Sequence, residues 1–213
     1  MNLPFVLRSL LRRTAIYTVY RTYQQRRLYR EWVRTGRPVP PPFIVKLQTV
    51  KDYAREFDLH VFVETGTFMG DMVDGVKDVF DEIYSIELSD DLYREAAKRF
   101  ARARHITILH GDSGQVLKEV LPRVNQPCLF WLDAHYSGGI TAKGASETPI
   151  EREIANIFGL SSPTRHVILV DDARCFNGKG DYPSLEALEK ACKSVGFQVF
   201  EVKDDIIRIH RRR

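Results

Sequence analysis

His60-Val61-Phe62-Val63-Glu64-Thr65-Gly66-Thr67-Phe68-Met69-Gly70 is an apolar run that ends in an acid and is followed by two glycines four residues apart. A short apolar run bounded by turn signals predicts a buried strand over 60–64. The glycines let the backbone turn tightly and come close to a ligand. Residues 71–80 then read as a helix, which makes the segment a strand–loop–helix unit.

The same unit recurs along the chain. Predicted strands cover 82–87, 105–109, 128–132 and 166–170. Each ends beside an acid: Glu87, Asp112, Asp133, and the pair Asp171-Asp172. Helices are predicted over 47–57, from Ser89 as a cap to about 101, from 113 to 121, from about 149, and over 183–195. Residues 197–202 and 206–210 form an apparent hairpin turning at Asp204-Asp205. Five strand–helix units with nearly continuous apolar strands mean a parallel sheet covered on both faces. The expected fold is α/β: a doubly wound, mostly parallel, seven-stranded sheet with an N-terminal helical arm. Ligands of such sheets bind at the carboxyl ends of the strands, where the strand order reverses.

The acids at those ends point to a nucleoside. The glycine spacing is not the GxGxxG of dinucleotide sites, which disfavours a pyrophosphate cradle. Glu87 is placed to accept hydrogen bonds from both hydroxyls of a ribose. Asp112 can accept from an adenine amino group, with Ser113 capping the next helix. Each acid alone could be merely solvated, but three in order at successive strand ends are harder to assign to chance. In these segments the chain resembles the class I S-adenosylmethionine-dependent methyltransferases. Glu64 to Gly70 is similar to their ExGxxxG motif, Glu87 to their ribose-binding acid, and Asp112-Ser113 to their adenine-side motif. The terminal hairpin resembles the reversed last strand of that Rossmann-like fold. The resemblance covers roughly residues 45–210. It implies S-adenosylmethionine as donor, held by Glu64, Gly66, Thr67, Gly70, Glu87, Asp112 and Ser113, with Gly66 and Gly70 at its methionine end.

The fourth and fifth strand ends suggest the chemistry. Adjacent strands lie about 5 Å apart, so Asp133, Asp171 and Asp172 can converge. Crowded carboxylates raise one another's pKa, and a hard divalent cation such as Mg²⁺ removes that repulsion. The alternative is that they cap helices or pair with Arg174 or Lys143. An alcohol is a poor nucleophile: a histidine base faces a mismatch of about nine pKa units, roughly 12 kcal/mol. A metal that lowers the pKa of a coordinated hydroxyl closes much of that gap. His135, two residues beyond Asp133, is the natural base, and Asp133 belongs to both the metal and the catalytic set. These segments are similar to the metal-dependent sugar O-methyltransferases of the macrocin type. That similarity implies Asp133, Asp171 and Asp172 as metal ligands, His135 as base, and a saccharide or related small molecule as acceptor. The chain has Asp-Ala-His where some members have two acids. Residues 137–153 read as a substrate loop, with Lys143, Glu147 and Thr148 facing a polar acceptor and Arg174 and Asn177 as weaker candidates.

Composition fits one soluble α/β domain: 213 residues, 44% hydrophobic and 28% charged. The charge is unevenly spread. Residues 1–42 hold nine Arg, no Lys and one acid, a net +8, while residues 43–213 net −4. The basic character therefore belongs to an arm, predicted helical over 3–34, joined by the run Gly36-Arg37-Pro38-Val39-Pro40-Pro41-Pro42 to a methyltransferase-like domain over 43–213. Its Arg, Tyr, Trp and Leu suit either the surface of an anionic membrane or contact with a second copy of the chain. No apolar stretch approaches the ~20 residues needed to span a bilayer, no signal peptide is evident, and the three cysteines show no CxxC spacing. The expected location is cytoplasmic, with the inner membrane face as an option. A nucleic-acid partner is disfavoured, because Asp-Ala-His-Tyr stands where base-methylating enzymes resemble Asp/Asn-Pro-Pro-aromatic. RNA methylation and a non-catalytic binding module of the same fold are the rival readings.

Overall fold

The computed structural model of the chain describes residues 15–133 and 148–212. Helix α1 spans Ala15–Arg34 and α2 spans Phe43–Glu56. Then follow β1 (Val61–Thr65), α3 (Asp71–Val76), β2 (Glu82–Glu87), α4 (Asp90–Phe100), β3 (Ile106–His110), α5 (Ser113–Val120) and β4 (Cys128–Leu132). The remainder is α6 (Ile150–Phe158), β5 (Val167–Val170), α7 (Leu185–Val195), β6 (Val199–Lys203) and β7 (Ile206–His210).

The seven strands form one sheet in the order β3-β2-β1-β4-β5-β7-β6. The pairs among β1 to β5 are parallel, whereas β7 runs antiparallel to both β5 and β6. The doubly wound, mostly parallel architecture expected from the sequence is thus present, reversed strand included. The chain begins in the middle at β1, builds outward through β2 and β3, and returns to the other side at β4. The order reverses between β1 and β4, and this crevice is where such sheets take ligands.

Burial follows strand position. Every residue of β1, β4 and β5 is buried, while the edge strands β3 and β6 are only partly covered. Alternate side chains feed two cores. On one face Val63, Ile86, Phe130, Leu132 and Ile168 pack with Leu117, Ile154, Ile157 and Leu188 of α5, α6 and α7. On the other, Phe62, Ile83, Leu129, Trp131 and Leu169 pack with Val50, Val73, Val76 and Phe100 of α2, α3 and α4. Each such side chain contributes ~1.5–3 kcal/mol by leaving water. The cysteines are all free.

Several boundaries differ from expectation by one or more residues, and three of the shifts have a visible cause. Helix α2 starts at Phe43 rather than 47, because Pro42 itself is the N-cap, with φ −66° and ψ 151°; a proline ring excludes helix from the residue before it, not from those after it. Helix α3 stops at Val76, since valines and Gly75 propagate a helix weakly. Gly75 has another use: a Cβ there would lie 2.6 Å from Leu47 Cδ1, so its absence lets α2 and α3 touch. Helix α7 begins at Leu185, capped by the Ser184 hydroxyl, which accepts from the Ala187 N–H at 3.1 Å.

The proline-rich segment does not carry α1 away from the sheet. Trp32 is 6% exposed and its Nε1 donates to the Pro38 carbonyl at 2.8 Å. The Ile44 N–H donates to Gln25 Oε1 at 3.2 Å, tying α1 to α2. Among the described residues no helix is long and apolar enough to cross a membrane.

Candidate functional site

The loop after β1 is shaped by its backbone. The N–H groups of Gly66 and Thr67 both reach the Ile86 carbonyl, at 2.9 and 3.2 Å, which bends the chain across the end of β2. Gly70 has φ 70° and starts α3; a Cβ there would lie 2.8 Å from the Phe100 ring. Beneath the loop runs a polar relay: the Thr67 hydroxyl meets Ser85 Oγ at 2.6 Å, and Ser85 donates to Glu64 Oε2 at 2.5 Å. The Thr67 side chain is therefore buried within the scaffold. Glu64 is buried, and burial pushes its carboxyl well above the ordinary range; the Ser85 hydrogen bond opposes this, and the charges of Asp133, Glu87 and Asp71 add to it.

Glu87 accepts from the Phe68 N–H at 2.7 Å through Oε2 and from the Ser89 N–H at 2.9 Å through Oε1. Each carboxylate oxygen keeps further lone-pair capacity for a diol. Ser89 stands at the N-cap of α4, but its side chain makes no capping bond. Asp112, not Ser113, is the N-cap residue of α5. The Ser113 hydroxyl turns inward and donates to Glu153 of α6, which corrects the expectation that it caps the helix. Asp112 Oδ2 pairs with Arg152 at 3.1 Å, whereas buried Oδ1 has no hydrogen-bond partner among the described residues. An orphaned acceptor where an adenine amino group is expected fits an adenosine ligand. Glu153 is fully buried, and burial pushes its carboxyl up to about 7 against hydrogen bonds from Ser113 and Thr65.

The chemistry end lies in the reversal crevice. Asp133 follows β4 and its N–H bonds the carbonyl and the hydroxyl of Thr65, at 3.2 and 3.3 Å. Asp171 follows β5 and its N–H bonds the Leu132 carbonyl at 3.0 Å. Asp172 has the left-handed φ of 56° and donates its N–H to Asp171 Oδ1 at 2.9 Å. The three acids offer ligand atoms all within 4.8 Å of one another, so they converge as the strand spacing implied. Asp172 also pairs with Arg174 at 2.7 Å, and Arg174 with Asp205; the anticipated pairing with arginine thus exists alongside the convergence.

Lys46 of α2, which the sequence reading passed over, hydrogen-bonds Asp171 Oδ2 and stands 3.7 Å from Asp172 Oδ1. Burial pulls its ammonium toward the neutral form, but the charges of Asp171, Asp133 and Asp172 outweigh this and hold it above the ordinary lysine value. Burial, with repulsion from Asp133, raises Asp171 in turn, and Lys46 opposes that rise. Among the described residues four carboxylates (Asp133, Asp171, Asp172 and Asp205) meet two cations, Lys46 and Arg174. The all-oxygen donor set of Asp133, Asp171 and Asp172 fits a hard divalent ion.

A cavity of about 650 Å³ joins these parts. Its walls include Glu64, Gly66, Thr67 and Phe68 from the loop after β1, Asp133 and Asp172 from the acidic cluster, and Lys46. Tyr20, Gln24 and Gln25 of α1 close another side, so the arm walls the site, a role the sequence reading did not give it. Glu87, Asp112 and Ser113 lie outside this cavity's lining. His135, Lys143 and Glu147 lie outside the described residues. Thr148 is buried and its hydroxyl accepts from the Ile150 N–H at 3.3 Å; Asn177 is exposed and accepts from the Lys179 N–H at 3.0 Å.

Solved structures share this architecture. The O-methyltransferase TomG of Streptomyces achromogenes, in complex with S-adenosylmethionine, superposes with a TM-score of 0.58 at 14% identity, covering 88% of this chain and 89% of that one. This chain has the class I methyltransferase fold. The methyltransferase PaMTH1 of Podospora anserina, bound to S-adenosylhomocysteine, gives 0.51 at 18% identity over 100% and 99% of the two chains. An O-methyltransferase of Bacillus cereus, in complex with the same product, gives 0.52 at 12% over 88% and 90%. No family model and none of the curated proteins matches the chain. The likeness is therefore one of class I methyltransferase architecture.

Proposed function

We propose that this protein is an S-adenosylmethionine-dependent methyltransferase that methylates a hydroxyl of a saccharide or related small molecule with the help of a divalent ion. The observation that carries the reading is the convergence of Asp133, Asp171 and Asp172, two of which, Asp133 and Asp172, line the cavity that also holds the glycine loop after β1. Glu87 would hold the ribose, Asp112 the adenine amino group, and Gly66 and Gly70 would admit the methionine end. Asp133, Asp171 and Asp172 would hold the ion, which when bound lowers the pKa of an acceptor hydroxyl. His135 is the base proposed to take the proton. Trp131 and Phe43 at the cavity wall restrict water around the transferring methyl.

The described part of α1 exposes Tyr20, Tyr23, Leu28, Tyr29 and Val33 beside exposed Arg26, Arg27 and Arg30. That mixture supports a peripheral contact with an anionic membrane or with a second copy, in addition to the arm's place at the cavity.

The test is transfer of a radiolabelled methyl group from the donor to a panel of sugars, glycosides, phenols and RNA, with Mg²⁺ and with chelator. Label on a glycoside that disappears with chelator is the expected result. Label on RNA alone favours the nucleic-acid reading. Donor binding with no transfer to any acceptor favours a non-catalytic module.

A further inference from the structure

Lys46 holds two of the three acids that would hold a divalent ion. Its side chain is 18% exposed and that of Asp171 1%, so the pair is formed largely out of water, and the ammonium bonds Asp171 Oδ2 with Asp172 Oδ1 at 3.7 Å. The position is fixed by the scaffold. Lys46 lies in the first turn of α2, whose start is set by Pro42 and by the Ile44–Gln25 hydrogen bond to α1. Val45, Val50 and Ala54 of the same helix are buried. An ion of the Mg²⁺ class approaches its oxygen ligands to about 2.1 Å. Bound to the oxygen that already accepts from the ammonium, it would bring two cations into near contact in a poorly solvated site, where like charges repel strongly.

We propose that Lys46 is an internal cation that occupies the metal seat, so that a divalent ion binds by displacing its ammonium from Asp171. This rests on the metal-assisted reading above and adds to it a gate. In the metal-free protein the lysine offsets part of the negative charge of the acidic cluster at Asp171 and Asp172. In the loaded protein it is released into the cavity it already lines. The device predicts weaker metal binding than the same acids would give alone, and a fold that does not depend on the metal.

Two measurements decide it, neither needing turnover. The first is Mn²⁺ titration of the whole protein, followed by the electron paramagnetic resonance signal of the free ion, in wild type, Lys46→Met and Lys46→Gln. At least tenfold tighter binding in the variants is expected; equal or weaker binding overturns the proposal. The second is trace acetylation of wild-type protein with and without Mn²⁺, read at Lys46 by peptide mass spectrometry with exposed Lys190 as control. Lys46 labelling should rise several-fold with the ion while Lys190 stays constant. Unchanged or reduced Lys46 labelling overturns displacement even if the variants bind tightly, because removing any nearby positive charge tightens metal binding. Absence of Mn²⁺ binding in all three proteins overturns the metal-assisted reading itself, and the gate with it. If both variants fail to fold, the wild-type labelling decides alone.

Discussion

The Glu87 carboxylate receives the Phe68 backbone N–H at 2.7 Å, so the acid that ends β2 also fixes the loop that leaves β1. The residue proposed to hold the donor's ribose thereby sets the path of the chain around the donor's methionine end. Glu87→Ala should free that loop without unfolding the sheet, because β2 is held by its ladders to β1 and β3. Amide exchange in a peptide containing Phe68 should then accelerate at least tenfold, while peptides from β4 keep their protection. Unchanged exchange at Phe68 would show that the loop holds itself.

Gly70 serves the same loop by conformation. Its φ of 70° strains any residue with a side chain, and a Cβ would meet the Phe100 ring at 2.8 Å. Gly70→Ala should therefore cost about 1–3 kcal/mol in urea unfolding. A loss below about 0.5 kcal/mol would mean that α4 shifts freely to make room.

Glu153 gives the fold a pH signature. Burial raises its carboxyl from 4.5 to about 7, so between those values the folded state holds a proton that the unfolded state has released. Stability should then fall as pH rises from about 4.5 to 7 and level off above, by roughly 3 kcal/mol for this group. Glu153→Gln should remove this group's share of the decline and leave the share of Glu64 and Asp171, whose carboxyls burial also raises. The check is urea unfolding of both proteins at pH 5 and pH 8: parallel losses in wild type and variant would assign the decline to other groups.

Asp133 separates donor binding from chemistry. Its backbone is held by Thr65, so Asp133→Asn should leave the fold and donor affinity near wild type and lower methyl transfer at least a hundredfold. A variant that transfers methyl groups at the normal rate removes Asp133 from the metal and catalytic sets.

The sheet was legible because its strands carry their own boundaries. Val61–Val63, Cys128–Leu132 and Val167–Val170 are apolar throughout, and acids mark or follow their ends. The convergence of Asp133, Asp171 and Asp172 was legible because adjacent strand ends lie side by side. Lys46 was not found, since it lies in a helix start that the proline run disguised, and its meeting with Asp171, 125 residues away, is tertiary. The turn of Ser113 toward Glu153 was missed for a similar reason: a serine beside a helix start reads locally as a cap, and the buried acid that claims its hydroxyl lies 40 residues further on. The place of α1 at the cavity wall was hidden because Arg, Tyr and Gln at its surface also describe a solvent-facing arm.

Calorimetric titration of S-adenosylhomocysteine into the purified full chain, once with Mg²⁺ and once with chelator, bears most directly on the central claim. The account predicts one saturable site per chain under both conditions, weakened at least tenfold in Glu87→Ala, because Glu87 is not among the three acids that would hold the ion. Absence of binding under either condition would contradict it, and would leave a class I methyltransferase fold that does not use this donor.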